Sequence, residues 1–128
     1  MFKRILIVED DEAFRKLFFL ALQDTPYQLD FAESGEKGLE LFEAYKYDLI
    51  FLDLYMPGMN GIEVLSEIRK MDENVQVHIL SAFCTEFLDE IKQSIVESLK
   101  FEMMHKSLTI DQIALITNSV LEESKVLV

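Results

Sequence analysis

At 128 residues the chain is the size of one domain and long enough to bury a core. Half of it is hydrophobic and ten residues are Phe, which excludes a disordered chain. A formal net charge of −12 argues against a nucleic-acid or anionic-membrane surface, where Lys and Arg must dominate, and favours a cation or a basic partner patch.

The chain opens on Lys3, Arg4 and a short apolar run. Glu9 and Asp10 end that run too soon for a signal peptide. No run approaches the roughly 20 residues of a membrane span. The single Cys84 cannot form an internal disulfide and fits a reducing cytoplasm; it reads as a loop or core thiol rather than a reactive one. Lys3–Val8 is a buried strand. Glu12–Gln23 carries Phe14, Leu17, Phe18, Ala21 and Leu22 at helical spacing, and Asp24-Thr25-Pro26 breaks it. These phenylalanines read as core packing, with Phe19 left toward solvent. Tyr27–Ala32 is a second strand. Ser34 offers an N-cap for a helix through Ala44, with Leu39, Leu41 and Phe42 inward. Asp48–Leu52 is the third strand, and Asn60-Gly-Ile-Glu63 has the capping-box spacing that opens a helix to Met71. Val75–Leu80 is the fourth strand. Thr85–Leu99 is helical, with Phe87, Leu88, Ile91, Ile95 and Leu99 on one side. Phe101–His105 is a short fifth strand, and Thr109-Ile-Asp-Gln112 caps a last helix bearing Ile110, Ile113, Ala114, Thr117, Val120 and Leu121.

Alternation of strand and helix with short connections means a parallel sheet with helices on both faces, because crossovers are right-handed. The expected fold is α/β: a doubly wound, flavodoxin-like three-layer sandwich of a five-stranded parallel sheet and five helices. No repeat, low-complexity stretch or linker interrupts it. The last helix ends within a few residues of Val128, so residues 1–128 are expected to form one domain without an output domain.

Polar groups gather at the strand ends. Glu9-Asp10-Asp11 follows the first strand, Asp53 the third, Ser81-Ala82 the fourth, and Lys106 lies after the fifth. Asp53 closes the apolar run Leu49–Leu52 and precedes a Pro/Gly turn, so it is held rigidly where ligands of open α/β sheets bind. Carboxylates a few Å apart repel by several kcal/mol at intermediate dielectric, so a divalent cation or a lysine must compensate. An all-oxygen donor set with positions left for water suits Mg²⁺.

The residues Glu9-Asp10, Asp53 with Met56-Pro57-Gly58-Met59-Asn60-Gly61, Ser81-Ala82 and Lys106 resemble the receiver domain of a two-component response regulator, over essentially the whole chain. The resemblance implies that Asp53 is the nucleophile that accepts a phosphoryl group from a histidine kinase or phosphotransfer protein. It implies that Asp10 holds Mg²⁺ directly, Glu9 through water, and that Asp53 and the backbone carbonyl of Tyr55 complete the protein ligands. Lys106 and Ser81 then supply charge and a hydrogen bond to the phosphoryl oxygens. Output is expected by contact with a downstream protein through the surface of the fourth helix, fifth strand and fifth helix. Direct DNA binding and membrane contact are not expected, and a homodimer is left open. The chain is expected to be a cytoplasmic signalling protein rather than a turnover enzyme.

Bland readings stand beside these. Asp11 reads as a solvated first-turn residue favoured by the helix dipole. Ser81 alone is an ordinary loop serine, Lys106 alone a surface lysine, and His105 a strand-edge residue. The carboxylates are different, since burying Glu9, Asp10 and Asp53 together without function is expensive.

Four features depart from the family pattern. Ser107 follows Lys106 where Pro is usual, and a cis bond before Ser costs about 2.5–4 kcal/mol. Met103 stands where an aromatic switch residue is usual, with Phe101 the nearest ring. The stretch from Ser81 to Lys106 is longer than usual. Tyr55 and Phe83 put two rings where the phosphate is flanked, which restricts an attacking water and implies slow loss of phosphate.

Met103 and Ser107 keep a rival in view: a catalytically silent pseudo-receiver acting as a fixed docking module. The intact Asp53, Glu9-Asp10, Ser81 and Lys106 weigh against it. A haloacid-dehalogenase-like phosphatase needs a second Asp two residues after the nucleophile, where Tyr55 stands. A flavodoxin-like flavin binder needs a Ser/Thr/Gly-rich loop after the first strand, where Glu9-Asp10-Asp11 would repel a phosphate.

Overall fold

Successive residues of a strand face opposite sides of its sheet. In β1 (Arg4–Val8), Ile5 and Ile7 enter one buried cluster, while Leu6 and Val8 enter another. In β3 (Leu49–Asp53), Leu49 and Phe51 join Ile5, while Ile50 and Leu52 join Leu6. A strand covered on both faces carries an unbroken apolar run, which is why these two show no alternation.

The computed structural model describes residues 2–82 and 99–122. With β2 (Gln28–Ala32), β4 (Gln76–Ser81) and β5 (Glu102–His105), the strands form one sheet in the order β2-β1-β3-β4-β5. All four pairings are parallel. This is the expected doubly wound, flavodoxin-like sheet. Helices α1 (Glu12–Leu22) and α4 (Ile110–Leu121) cover the Ile5 face through Phe18, Leu22, Ile113 and Leu121. Helices α2 (Gly35–Ala44) and α3 (Gly61–Met71) belong to the other face, where Val64, Leu65 and Ile68 are fully buried. Of the five helices expected, these four lie among the described residues. The one expected over Thr85–Leu99 lies outside them, apart from Leu99, which is partly buried against the Leu6 cluster. Cys84 and Phe83 also lie outside.

The expected caps are in place. Ser34 accepts the Lys37 N–H at 3.1 Å. Asn60 and Glu63, and Thr109 and Gln112, form reciprocal capping boxes. Asp11 is not a first-turn residue but the N-cap of α1, accepting the Ala13 N–H at 2.9 Å. Strand ends move by one residue from expectation. Asp48 lies just outside β3, and its side chain accepts the Arg4 N–H at 2.9 Å. Asp53 and Ser81 lie inside their strands, paired in register with Leu80 and His105.

Phe19 is exposed, as expected. No peptide bond among the described residues is cis, so Lys106–Ser107 is trans. The loop takes another path instead. Leu108 N–H donates to the Lys106 carbonyl at 2.9 Å, a tight three-residue turn. Ser107 N–H donates to His105 Nδ1 at 3.1 Å, with the Ser107 hydroxyl 2.8 Å from the same nitrogen. A proline at this position has no N–H to give.

Candidate functional site

The site follows from register. Val8 and Leu52 are the last paired residues of β1 and β3, so Glu9 and Asp53 emerge side by side at the carboxyl edge. The Glu9 N–H is tied to the Ala32 carbonyl of β2 at 2.9 Å. Ser81 ends β4, and its carbonyl accepts the Lys106 N–H at 2.8 Å, which brings the lysine stem over the crevice. Gly61 closes the turn after β3. A Cβ there would lie 2.5 Å from the Asp53 carbonyl oxygen and 2.9 Å from Leu54 Cα, so only glycine lets α3 start this close to the strand end. Gly58, at φ +82°, supplies the left-handed residue of the same turn.

The crevice gathers Glu9, Asp10 and Asp53, each offering one oxygen within 4.8 Å of the others. Glu9 is fully buried and Asp53 nearly so, while Asp10 is exposed. Lys106 Nζ makes an ion contact with Glu9 Oε1 and stands 3.4 Å from Asp53 Oδ2. The Tyr55 N–H points to Asp53 Oδ1 at 3.4 Å, and the Tyr55 side chain is exposed at the rim. Ser81 is buried. Every expected site residue is therefore at the same edge of the sheet.

The charges strain one another. Burial first, and then the Asp53 carboxylate, push the Glu9 carboxyl up to about 8, with Lys106 opposing. Burial and Asp53 also raise Asp10. For Lys106, burial pulls the ammonium down, but the Glu9 and Asp53 carboxylates outweigh it and leave it raised. Two carboxylates within 4.8 Å of each other repel by about 3 kcal/mol or more at an effective dielectric near 20. Apart from the Lys106 ammonium at Oε1, neither Glu9 oxygen has a hydrogen-bond partner among the described residues. A buried carboxylate so placed, within an all-oxygen donor set, fits a hard divalent cation such as Mg²⁺.

Two residues of α1 join the site that sequence alone did not mark. Arg15 Nη1 donates to the Glu9 carbonyl at 2.8 Å and pins the acidic turn. The Phe14 ring, read as core packing, also lies 4.9 Å from Lys106 Nζ. The one signal available was position: both stand one helical turn beyond Asp10 and Asp11. Of the departures, Met103 is partly buried against the Leu6 cluster together with Phe101.

A family model described as response regulator receiver domain matches residues 5–117. The chain is 36% identical over 94 residues to sporulation initiation phosphotransferase F of Bacillus subtilis, covering 73% of this chain and 74% of that protein. It is 40% identical over 78 residues to the cell cycle transcriptional regulator CtrA of Caulobacter vibrioides, covering 61% of this chain but only 34% of that protein. The chain thus spans about a third of the length of that regulator. Among solved structures, response regulator protein TrrA of Thermotoga maritima, in complex with Mg²⁺ and BeF, superposes with a TM-score of 0.75 at 32% identity, covering 93% of this chain and 99% of that one. Chemotaxis protein CheY4 of Vibrio cholerae, at 20% identity, shares the fold with a TM-score of 0.82, covering 94% of this chain and 100% of that one.

Proposed function

Because the chain belongs to the response regulator receiver domain family of two-component systems, we propose that it is a working phosphoacceptor and that Asp53 carries the phosphoryl group. One observation carries this reading: the Asp53 carboxylate is buried at the end of β3 beside the Glu9-Asp10 pair and within reach of the Lys106 ammonium. An Asp53 oxygen attacks the phosphorus of a phosphohistidine on a kinase or phosphotransfer protein. The new P–O bond forms as the P–N bond breaks, and the departing imidazole nitrogen takes up a proton. Phosphoryl transfer of this kind needs in-line positioning and charge neutralisation more than covalent help.

The residues of the crevice supply both. Asp10, Asp53, the Tyr55 carbonyl and, through water, Glu9 would hold Mg²⁺, which when bound neutralises the carboxylates and the incoming phosphoryl oxygens. Lys106 is already within reach of Asp53 and can pair with a phosphoryl oxygen on it. The Ser81 hydroxyl offers a donor from the neighbouring strand. The added charge of about one to two units is then reported through Lys106 and Ser81 to the strands that carry them. Output is by protein contact through the segment before β5, β5 itself and α4, and the acidic surface is unsuited to DNA.

The test is an NMR titration with Mg²⁺ and beryllofluoride. Saturable shifts at Glu9, Asp53, Ser81 and Lys106, lost in Asp53→Ala, are the expected result, with further shifts along β5 and α4. Shifts confined to the neighbours of Asp53 would end the output proposal. No binding at all would favour the fixed docking module.

A further inference from the structure

Phe14 occupies the first turn of α1, and its ring packs on the core. It meets Phe18 edge-on with centroids 5.5 Å apart, and Phe18 is fully buried against Phe51 at 4.8 Å. Lys106 Nζ stands over the same ring, 4.9 Å from its centroid. The ammonium thus has three attractive neighbours: Glu9 Oε1, Asp53 Oδ2 and the Phe14 ring. Two of the three are carboxylates that, on the reading of Asp53 given above, also serve a divalent cation and a phosphoryl group. A carboxylate that has turned to a cation has less to offer an ammonium. The ring has no such second use. Its negative face attracts a cation, more strongly where water is excluded, and its position is fixed by the core.

We infer that Phe14 is a positioning residue for Lys106: its ring keeps the ammonium at the mouth of the crevice while Glu9 and Asp53 are engaged elsewhere. The ammonium then meets the phosphoryl oxygens without first being recovered from solvent. This rests on the proposed role of Asp53 for its purpose, but the contact itself does not.

Phe14→Leu keeps apolar bulk against Phe18 and removes the π face; Phe14→Tyr keeps the face. Urea unfolding of the metal-free wild type, Phe14→Leu, Lys106→Met and the double variant reads the pair directly. Phe14→Leu should lower the folding equilibrium constant by about three- to tenfold more in the presence of Lys106 than in its absence, and Phe14→Tyr should retain the coupling. Equal losses in both backgrounds would mean that the ring only packs, and would overturn the inference. With Mg²⁺ present, beryllofluoride titration of the same proteins reads the consequence. Phe14→Leu should bind about three- to tenfold more weakly, with no further loss in the Lys106→Met background. Binding by Phe14→Leu at wild-type strength would overturn the positioning role. Failure of the wild type to bind beryllofluoride would overturn the reading of Asp53 instead, and the unfolding cycle would still decide whether the ring holds the ammonium.

Discussion

Glu9 is the residue on which the electrostatics of the crevice turn. Its carboxyl is raised to about 8 from an ordinary 4.5, by burial foremost and by Asp53 next. Between those values the folded chain holds a proton on Glu9 that the unfolded chain has released. Stability of the metal-free protein should therefore fall as pH rises from about 4.5 to about 8, and level off above. Urea unfolding across that range checks it: Glu9→Gln should flatten the slope, and an unchanged slope would contradict the assignment. Mg²⁺ binding has the opposite sign, since a proton on Glu9 removes a negative charge that favours the cation, so its affinity should rise with pH through the same window. Tyr55 follows Asp53 by two residues. It is 38% exposed and its N–H points to Asp53 Oδ1. Tyr55→Asn opens the path for water and should speed phosphate loss by about three- to tenfold, which is roughly 1 kcal/mol of barrier. Loss at the wild-type rate in a phosphate-release assay would remove Tyr55 from the account.

Elements set where these residues stand. The turn between β3 and α3 works because Gly61 has no Cβ to meet the Asp53 carbonyl. Gly61→Ala should cost about 1–3 kcal/mol by overpacking against backbone, with the loss read by denaturant unfolding. Asn60→Ala removes one half of the capping box and should cost about 1 kcal/mol by the same measurement. Much of this level was legible in the sequence. Ile5–Val8 and Leu49–Leu52 announce doubly covered strands, and Asn60-Glu63 and Thr109-Gln112 announce helix starts, because those signals are local. Strand ends were less legible. Asp48 and Ser81 fall on one side or the other of a boundary according to hydrogen bonds with Arg4 and Lys106, which are distant in sequence. The loop after β5 was read through the usual proline, whereas Ser107 uses its own N–H and hydroxyl on His105, and a proline has no N–H to give.

At the scale of the molecule, strand order does what no single element can. Placing β1 between β2 and β3 brings Glu9 and Asp10 to Asp53, and β4 and β5 bring in Ser81 and Lys106. The acidic set was legible because Glu9 and Asp53 each close an apolar run, and the lysine because it follows the short fifth strand. Phe14 and Arg15 were not, because helical spacing says which face of α1 is buried but not that its first turn lies beside Lys106 and the Glu9 carbonyl. The central claim is that this assembly makes Asp53 a phosphoacceptor. Incubation with acetyl phosphate, followed by mass spectrometry of the intact chain and its peptides, tests it most directly. The expected product carries one phosphoryl group, on Asp53, formed with Mg²⁺, prevented by a chelator and absent from Asp53→Ala. An unmodified wild type in the presence of Mg²⁺, or a phosphoryl group that persists in Asp53→Ala, would contradict it.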